Sequence, residues 1–375
     1  MKKSIAPDQC IFQESYRSSR LAFKKQAVLS GGEIDFVRHP RALADDHAAY
    51  GIDIAWFGPR DAAKVLVMIS GTHGPELLAG SAMQFMWMAE FSAVRNPDTA
   101  IFLIHGANPY GCASIRRTTE NNVDLNRNFI DFANVPQRSV LSKQVQDVLC
   151  ARGLRGPQSR RTLLYLLYLG WRHGLSKISN EITAGQYFRP DGVGFGGAAP
   201  EWAHGRLRAV WESNLAHARR VAIVDWHTGI GGYGTPSFLC FDDPASPEFA
   251  RAAAWWGAAV NQSNAHFEVG ARPSYQGLLV RAVQDIALQS GAETTAAVIE
   301  FGTYSNKTML KGLLIDRWLQ NAPADACHAT KTKLERELMG LFYPTDPKWR
   351  RSVAYEGRGI ITQTLAGLQH WENAV

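Results

Sequence analysis

The sequence predicts an α/β domain with a mixed central β-sheet flanked by helices. Short apolar runs of strand length recur along the chain, and amphipathic helical patterns separate them, which is typical of layered α/β proteins. Of the 375 residues, 46% are apolar and 20% are charged, which is the composition of a folded globular protein.

The first third of the chain opens with a helical pattern and continues with apolar runs. Residues 12–29 have the spacing of an amphipathic helix and lead into a polar segment. GIDIAWF (51–57) and KVLVMIS (64–70) follow, separated by a Gly-Pro turn sequence, which predicts a hairpin or an adjacent strand pair. We then expect a helix over 76–91 and a short strand within AIFLIHGANP (100–109).

The later part of the chain continues the alternation. Three further strands are predicted, namely RVAIVDW (220–226), PSFLCF (236–241) and TTAAVIEF (294–301). Helical patterns accompany them near 206–219, 246–262 and 279–290. Residues 136–205 combine a helical portion with a Gly-rich stretch, so we interpret them as an insertion on the α/β frame. Residues 306–375 are predicted to be mostly helical, with a Pro break.

Composition excludes several classes of protein. The five cysteines are scattered without a CxxC pair, which argues against a disulfide framework or a Cys-rich zinc site and fits a reducing cytosol. No signal peptide is expected from MKKSIAPDQC, and the apolar run at 163–171 is too short to span a membrane. The net charge of +6 is modest, and no nucleic-acid-binding module is present. We therefore expect a cytoplasmic protein without nucleic-acid or membrane partners.

The stretch SGTHGPELLAG (70–80) follows a predicted strand and carries the first candidate ligands. His73 and Glu76 are three positions apart, close enough to share one cation, although such a pair also occurs as an ordinary capping or turn pair. His227, in VDWHTG, ends a later strand, where functional groups gather in α/β sheets. Two imidazoles and one carboxylate with an open fourth position form a catalytic zinc site. Taken alone, His227 also fits a structural role.

Two further motifs supply polar groups. Residues 108–129 again follow a strand and contain Arg116, Arg117, Asn126 and Arg127. Guanidinium groups bind carboxylates in a bidentate manner and stabilise an oxyanion, although each arginine alone also fits a surface role. Glu300 ends the apolar run AAVIE, where a carboxylate must be paired, metal-bound or functional. It is a candidate general base, with a structural ion pair as the alternative.

The order of these motifs resembles the zinc carboxypeptidase (carboxypeptidase A-like, M14-type) superfamily. HxxE, then NPYG…RR…VDLNRNF, then DWHTG and IEFG occur between about residues 50 and 305. The HTG and EFGT variants resemble a bacterial branch of that superfamily, related also to aspartoacylase and succinylglutamate desuccinylase. The resemblance implies one Zn²⁺ held by His73, Glu76 and His227, with Glu300 as general base and proton donor.

The resemblance also implies roles for the surrounding residues. Asp124 would orient His73, and Asn126 with Arg127 would bind a substrate carboxylate. Arg117 or Arg116 would polarise the scissile carbonyl, and Tyr275 would be an active-site tyrosine, although a core or surface role fits it equally. Four histidines match no family role and are expected to be structural or surface residues, namely His105, His173, His204 and His266.

The resemblance implies hydrolysis of an amide bond next to a free carboxylate by zinc-activated water. The implied substrate is either a peptide C-terminus or a small N-acyl amino acid, because the aspartoacylase-like deacylases that the chain also resembles share the HxxE and DxNR motifs. A non-catalytic binding module is an alternative of another class, and a Cys or Ser hydrolase lacks a GxSxG elbow here. Because residues 73, 227 and 300 must meet in space, we expect one domain over residues 1–375.

Overall fold

The computed structural model describes residues 11–41, 50–150, 157–257, 260 and 275–371. These residues form a seven-stranded mixed sheet flanked by helices, so the predicted fold class is confirmed. No helix among them is long and apolar enough to cross a membrane.

The elements follow the chain in a largely alternating order. The strands are β1 (Glu33–Arg38), β2 (Gly51–Phe57), β3 (Lys64–Ser70), β4 (Thr99–His105), β5 (Arg220–Gly229), β6 (Pro236–Leu239) and β7 (Glu293–Gly302). The helices of the first half are α1 (Tyr16–Leu29), α2 (Leu77–Glu90), α3 (Pro109–Ser114), α4 (Val140–Leu149), α5 (Pro157–His173) and α6 (Leu175–Thr183). Those of the second half are α7 (Trp202–Leu215), α8 (Pro247–Trp256), α9 (Leu279–Gln289), α10 (Asn306–Gln320), α11 (His328–Phe342) and α12 (Pro347–Gln369).

The sheet order is β1-β2-β4-β3-β5-β7-β6. β3, β4, β5 and β7 are mutually parallel, whereas β2 runs antiparallel to β4 and β6 antiparallel to β7. The prediction that β2 and β3 pair with each other is therefore wrong, because β4 lies between them. The Gly-Pro turn does reverse the chain, but a turn sequence reports a change of direction and not which strand becomes the neighbour.

Strand β1 was not predicted, since its residues are polar and partly exposed at the sheet edge. Apart from β6, which is half-buried, the other strands are almost wholly buried, and their side chains alternate between two cores. Val65, Val67 and Ile69 of β3 face one core, beneath α7 and α9, whereas Leu66 and Met68 face the other, beneath α1, α2, α8 and α12. The period of two along a strand produces this division.

The 136–205 segment contains α4, α5, α6 and a Gly-rich connection. Its helices enclose a separate small core that includes Val145, Leu149, Leu166, Leu169 and Ile178, and this core packs against leucines of α10. The Gly-rich part runs back to the sheet's carboxyl edge, where Phe195 O accepts a hydrogen bond of 2.7 Å from Asp124 N. The predicted insertion thus reaches the segment that holds several candidate site residues.

Candidate metal centre

The candidate site lies at the carboxyl ends of the parallel strands. His73 and Glu76 follow β3, His227 lies near the end of β5, and Glu300 lies near the end of β7. In the β5–β7 register, His227 is directly opposite Glu300. The chain passes from β3 to β4 on one side of β3 and later continues in β5 on the other side. Such a change of direction opens a crevice at the carboxyl edge, where α/β sheets hold their ligands.

The turn after β3 requires glycine at two positions. Gly71 adopts a positive φ of 77°, which L-residues with a Cβ rarely adopt. Gly74 lies against the α3 segment, where a Cβ would stand 2.0 Å from Gly111 O and 2.6 Å from Arg116 O. The Gly74 N–H instead donates to Arg116 O at 3.1 Å. This close approach ties the His73–Glu76 turn to the arginine-bearing segment.

His73, Glu76 and His227 form a compact group of potential metal ligands. His73 Nδ1 lies 3.0 Å from Glu76 Oε1, and His227 Nδ1 lies 3.0 Å from Glu76 Oε2. One ligand atom from each residue falls within 4.8 Å of the other two, and all three residues are at most 5% exposed. The backbone N–H of Thr228 also donates to Glu76 Oε2 at 3.1 Å. The two imidazoles therefore present the same nitrogen, Nδ1, to one carboxylate.

The outer nitrogen of each imidazole is bonded to a second carboxylate. His73 Nε2 lies 3.0 Å from Asp124 Oδ1, and His227 Nε2 lies 2.8 Å from Asp225 Oδ2. Thr72 Oγ1 donates to Asp225 as well. Such carboxylates fix the tautomer and orientation of metal-binding histidines. With two imidazole nitrogens and one carboxylate at its centre, the donor set can hold a divalent metal ion.

Sequence reasoning missed Asp225. The signal was present in VDWHTG, because residues two apart on a strand point to the same face, so Asp225 and His227 had to be neighbours. Its counterpart Asp124, which the resemblance assigned to His73, does lie against His73.

The charges in the cluster influence one another strongly. Burial opposes ionisation of Glu76, but His73 and Arg117 hold the pKa of this carboxyl well below its usual range. Burial likewise opposes charging of His227, yet Asp225 and Glu76 raise its pKa well above the ordinary value. A carboxylate that stays ionised at neutral pH is the form that binds a cation.

Glu300 has the opposite character. Burial and the nearby negative charge of Glu76 raise its pKa to about 7, and the Ile230 N–H approaches its Oε2 at 3.4 Å. Glu300 is 8% exposed. A carboxyl that titrates near neutrality next to a potential metal site has the acidity expected of a general base.

The two adjacent arginines point to different places. The Arg117 guanidinium donates to Glu76 Oε1 and lies 3.2 Å from His73 Nδ1, within the cluster. The Arg116 guanidinium donates to the carbonyls of Ser114 and Ile115 and pairs with Glu335 at 3.1 Å. Of the two candidates for polarising a carbonyl, only Arg117 is beside the potential ligands.

Asn126, Arg127 and Tyr275 form a second group next to Asp124. Asn126 Oδ1 accepts a hydrogen bond of 2.9 Å from Leu279 N. Arg127 donates to the carbonyl oxygens of Asn126 and Thr183, and its guanidinium lies 4.8 Å from the centre of the Tyr275 ring. The buried Arg127 Nε has no hydrogen-bond partner among the described residues.

Comparison with known proteins gives a family and a fold. A family profile described as "Protein of unknown function (DUF2817)" matches residues 12–356. No curated protein sequence is significantly similar to the chain.

Among solved structures, bovine thrombin-activatable fibrinolysis inhibitor, determined with tick carboxypeptidase inhibitor, is 8% identical. It aligns with a TM-score of 0.54 over 96% of this chain and 98% of its own. Carboxypeptidase A from Helicoverpa armigera is 14% identical over 91% of this chain and 74% of its own, with a TM-score of 0.42. A Shewanella frigidimarina NCIMB 400 protein, described as a candidate succinylglutamate desuccinylase/aspartoacylase, is 16% identical over 78% and 72%, with a TM-score of 0.34. The first of these likenesses confirms the expected carboxypeptidase-like fold.

Proposed function

The chain belongs to the DUF2817 family, and on that premise we propose that it is a zinc-dependent hydrolase that cleaves an amide bond next to a free carboxylate. The observation that carries the proposal is the convergence of His73 Nδ1, His227 Nδ1 and the Glu76 carboxylate beside a second, partly protonated carboxyl, Glu300. The three potential ligands and Glu300 lie at one edge of the sheet although 227 positions separate His73 from Glu300 (300 − 73).

Zinc would be held by His73, Glu76 and His227, three protein ligands of the types found in catalytic zinc sites. When bound, the ion supplies Lewis acidity, which polarises a carbonyl oxygen and eases the deprotonation of water. Asp124 and Asp225 keep both imidazoles oriented with Nδ1 inward.

Glu300 would move the proton. With a pKa of about 7, its carboxylate accepts a proton from the attacking water at neutral pH, and its carboxylic acid then donates that proton to the leaving nitrogen. Its position opposite His227 in the sheet places this carboxyl next to the ligands and keeps it out of bulk water.

Arg117 and Arg127 would bind two different parts of the substrate. Arg117 carries its guanidinium against Glu76, where it can donate to the oxygen that becomes negative as the amide is attacked. Arg127 has a buried N–H, at Nε, without an acceptor in the part of the chain that the structure describes, and a substrate carboxylate would supply that acceptor.

The first experiment asks whether the metal and the base are both needed. We expect purified protein to carry about one zinc per chain, and we expect Glu300→Gln to keep the zinc while lowering kcat by about 10²- to 10⁴-fold, the range of general acid–base catalysis. Glu335→Gln is the matched control, because this glutamate pairs with Arg116 outside the cluster. Protein that binds no zinc, or an unchanged kcat in Glu300→Gln, would contradict the proposal.

The second experiment distinguishes the two substrate classes. One panel contains peptides with free C-termini, and the other contains N-acyl amino acids with the same free carboxylate. Activity on the first panel identifies a carboxypeptidase and activity on the second a deacylase. Zinc-loaded protein that binds members of either panel without turning them over would identify a non-catalytic binding module instead.

A further inference from the structure

Helix α5 exposes an unusual number of large apolar side chains. Trp171 is 82% exposed, Leu164 65%, Leu167 54% and Tyr168 46%. Leu175, which begins the next helix, is 71% exposed. A contiguous apolar surface of this kind marks an interaction site in a folded protein, whereas isolated exposed leucines do not.

The helix has two apolar faces. Leu166 and Leu169 are buried in the small core shared with α4 and α6. At about 100° per residue, Leu164, Leu167, Tyr168 and Trp171 fall within an arc of about 100° on the other side. Arg161 and Arg172 fall at one border of that arc, and both are exposed. We define the α5 face as the exposed apolar arc together with this basic border.

The sequence around the α5 face contains the whole net charge of the protein. Residues 148–180 include six of the 40 Lys and Arg residues and none of the 34 Asp and Glu residues, so the remaining 34 basic residues balance the 34 acidic ones. The six are Arg152, Arg155, Arg160, Arg161, Arg172 and Lys177. Of these six, Arg161 and Arg172 border the apolar arc and are exposed, so a partner of the α5 face should be both apolar and negatively charged.

We propose that the α5 face binds an anionic phospholipid surface, with the helix lying in the plane of the interface. Leucines with Trp and Tyr on one side and arginines at its border are the composition of interfacial helices. Basic residues add attraction to acidic headgroups that falls with salt. A second copy of the chain fits less well, because pairing two α5 faces would bring two like-charged segments together.

Binding of the α5 face to a phospholipid surface differs from the expectation that the chain has no membrane partner. That expectation rested on the small total charge and on the shortness of the 163–171 run. Neither observation reports that one segment contains six basic and no acidic residues or that the run faces outward. Interfacial binding also requires no membrane-spanning length, since the helix need only bury one face.

The test is flotation of the full-length, zinc-loaded protein with vesicles of phosphatidylcholine alone or of phosphatidylcholine mixed with phosphatidylglycerol. We expect binding to the mixed vesicles, weakened by added salt, and little binding to phosphatidylcholine. The double variant Leu164→Glu/Trp171→Glu should lower the bound fraction at least about tenfold. The matched control is Leu29→Glu/Tyr355→Glu, which adds the same charge at positions 70% and 74% exposed on α1 and α12.

Three results would overturn the proposal. The first is the absence of binding to the mixed vesicles. The second is equal binding by the α5 double variant and the wild type, or equal binding to both kinds of vesicle. The third is a dimer in sedimentation experiments that the α5 double variant converts to a monomer, without vesicle binding by either. That result would assign the α5 face to a second copy of the chain.

Discussion

Two buried polar networks lie at the carboxyl edge of the sheet, and both contain histidine, carboxylate and arginine. In the first, Arg20 makes two bonds to Asp53, at 2.6 and 3.0 Å, and His105 Nε2 bonds to Ser19 Oγ at 2.8 Å. Ser19 in turn bonds to Ser81 at 2.7 Å. We refer to these five residues as the Asp53 network. The second network is the candidate metal centre, which we call the metal centre.

The two networks differ in how their charges are matched. In the Asp53 network, one guanidinium donates to both carboxylate oxygens and Lys24 Nζ lies 3.6 Å from Asp53 Oδ1, so cations of the protein itself already match the charge of this carboxylate. In the metal centre, two imidazoles face one carboxylate from different sides, and Glu300 is a further carboxyl next to them. Burial of histidine and carboxylate therefore does not by itself identify a metal site. The convergence of several potential ligand atoms on one point does.

Removing Asp53 should have the largest effect. Asp53→Ala removes the carboxylate that accepts two hydrogen bonds from the buried Arg20 guanidinium, which costs about 3–5 kcal/mol of the free energy of unfolding. Zinc stoichiometry of the folded protein should not change. Chemical denaturation with metal analysis measures both. The control, Glu33→Ala, removes an exposed partner of Arg60 and should cost about 1 kcal/mol or less. A loss of zinc in folded Asp53→Ala would show that the two networks are coupled.

The pH dependence of stability should differ between the networks. In metal-free protein below pH 4.5, the ordinary pKa of a glutamate, Glu300 is protonated in both the folded and the unfolded state. Between pH 4.5 and about 7, only the unfolded state releases the proton. Its contribution to stability is thus present below pH 4.5 and is lost as pH rises through about 7, by on the order of 3 kcal/mol. Unfolding of wild type and Glu300→Gln across this range gives the difference. The same slope in both proteins would contradict the raised pKa.

Ionisation of Asp53 should change stability with pH in the direction opposite to that of Glu300. Burial opposes its ionisation, but His105 and Arg20 hold its pKa below the usual 3.8. Its stabilising effect is present above pH 3.8 and is lost as pH falls through the lower folded value. The acid limb of the same titration reports it, because Asp53→Ala should remove that part of the acid sensitivity and leave the Glu300 part.

The carboxylates behind the histidines should have a moderate effect that is specific to the metal centre. Asp225→Asn removes the charge of the carboxylate that is hydrogen-bonded to His227 Nε2 and orients this imidazole. It should lower zinc affinity by about 10- to 100-fold. Competition with a chromogenic chelator measures the affinity. Asp242→Asn is the matched control, since Asp242 is a buried carboxylate bonded to Arg281 and Gln284 elsewhere in the fold. Equal weakening by both variants would point to general destabilisation.

Arg116→Gln should have the smallest effect. It removes a partly buried pair with Glu335 and should change kcat/KM by no more than about threefold. Arg117→Gln, one residue later, should lower kcat by about 10²- to 10³-fold if its guanidinium stabilises the developing oxyanion. Steady-state kinetics on the active substrate class compares the two. Similar losses in both variants would remove the distinction between the arginines.

Much of this molecule could be predicted from local sequence. The uninterrupted apolar run Val65–Ile69 predicts a strand with both faces buried, and polar residues directly after such strands predict a site at the carboxyl edge. Residue type and position made His73, Glu76 and His227 candidates, but only the resemblance carried by the order of the four motifs selected them as one ligand set. These inferences depend on neighbours in the chain, whose geometry the backbone fixes.

Tertiary structure decided what depends on partners distant in sequence. β4 lies between β2 and β3 because pairing is set by packing over the whole sheet. Arg116 and Arg117 are the same residue type at adjacent positions, so the sequence does not distinguish them. In the fold they follow Ile115, which has a φ of 55°, and Arg116 pairs with Glu335 whereas Arg117 pairs with Glu76. The run at 163–171 is apolar all round, and only the folded insertion shows which half is covered. Side-chain direction and burial come from long-range packing, which a local pattern does not contain.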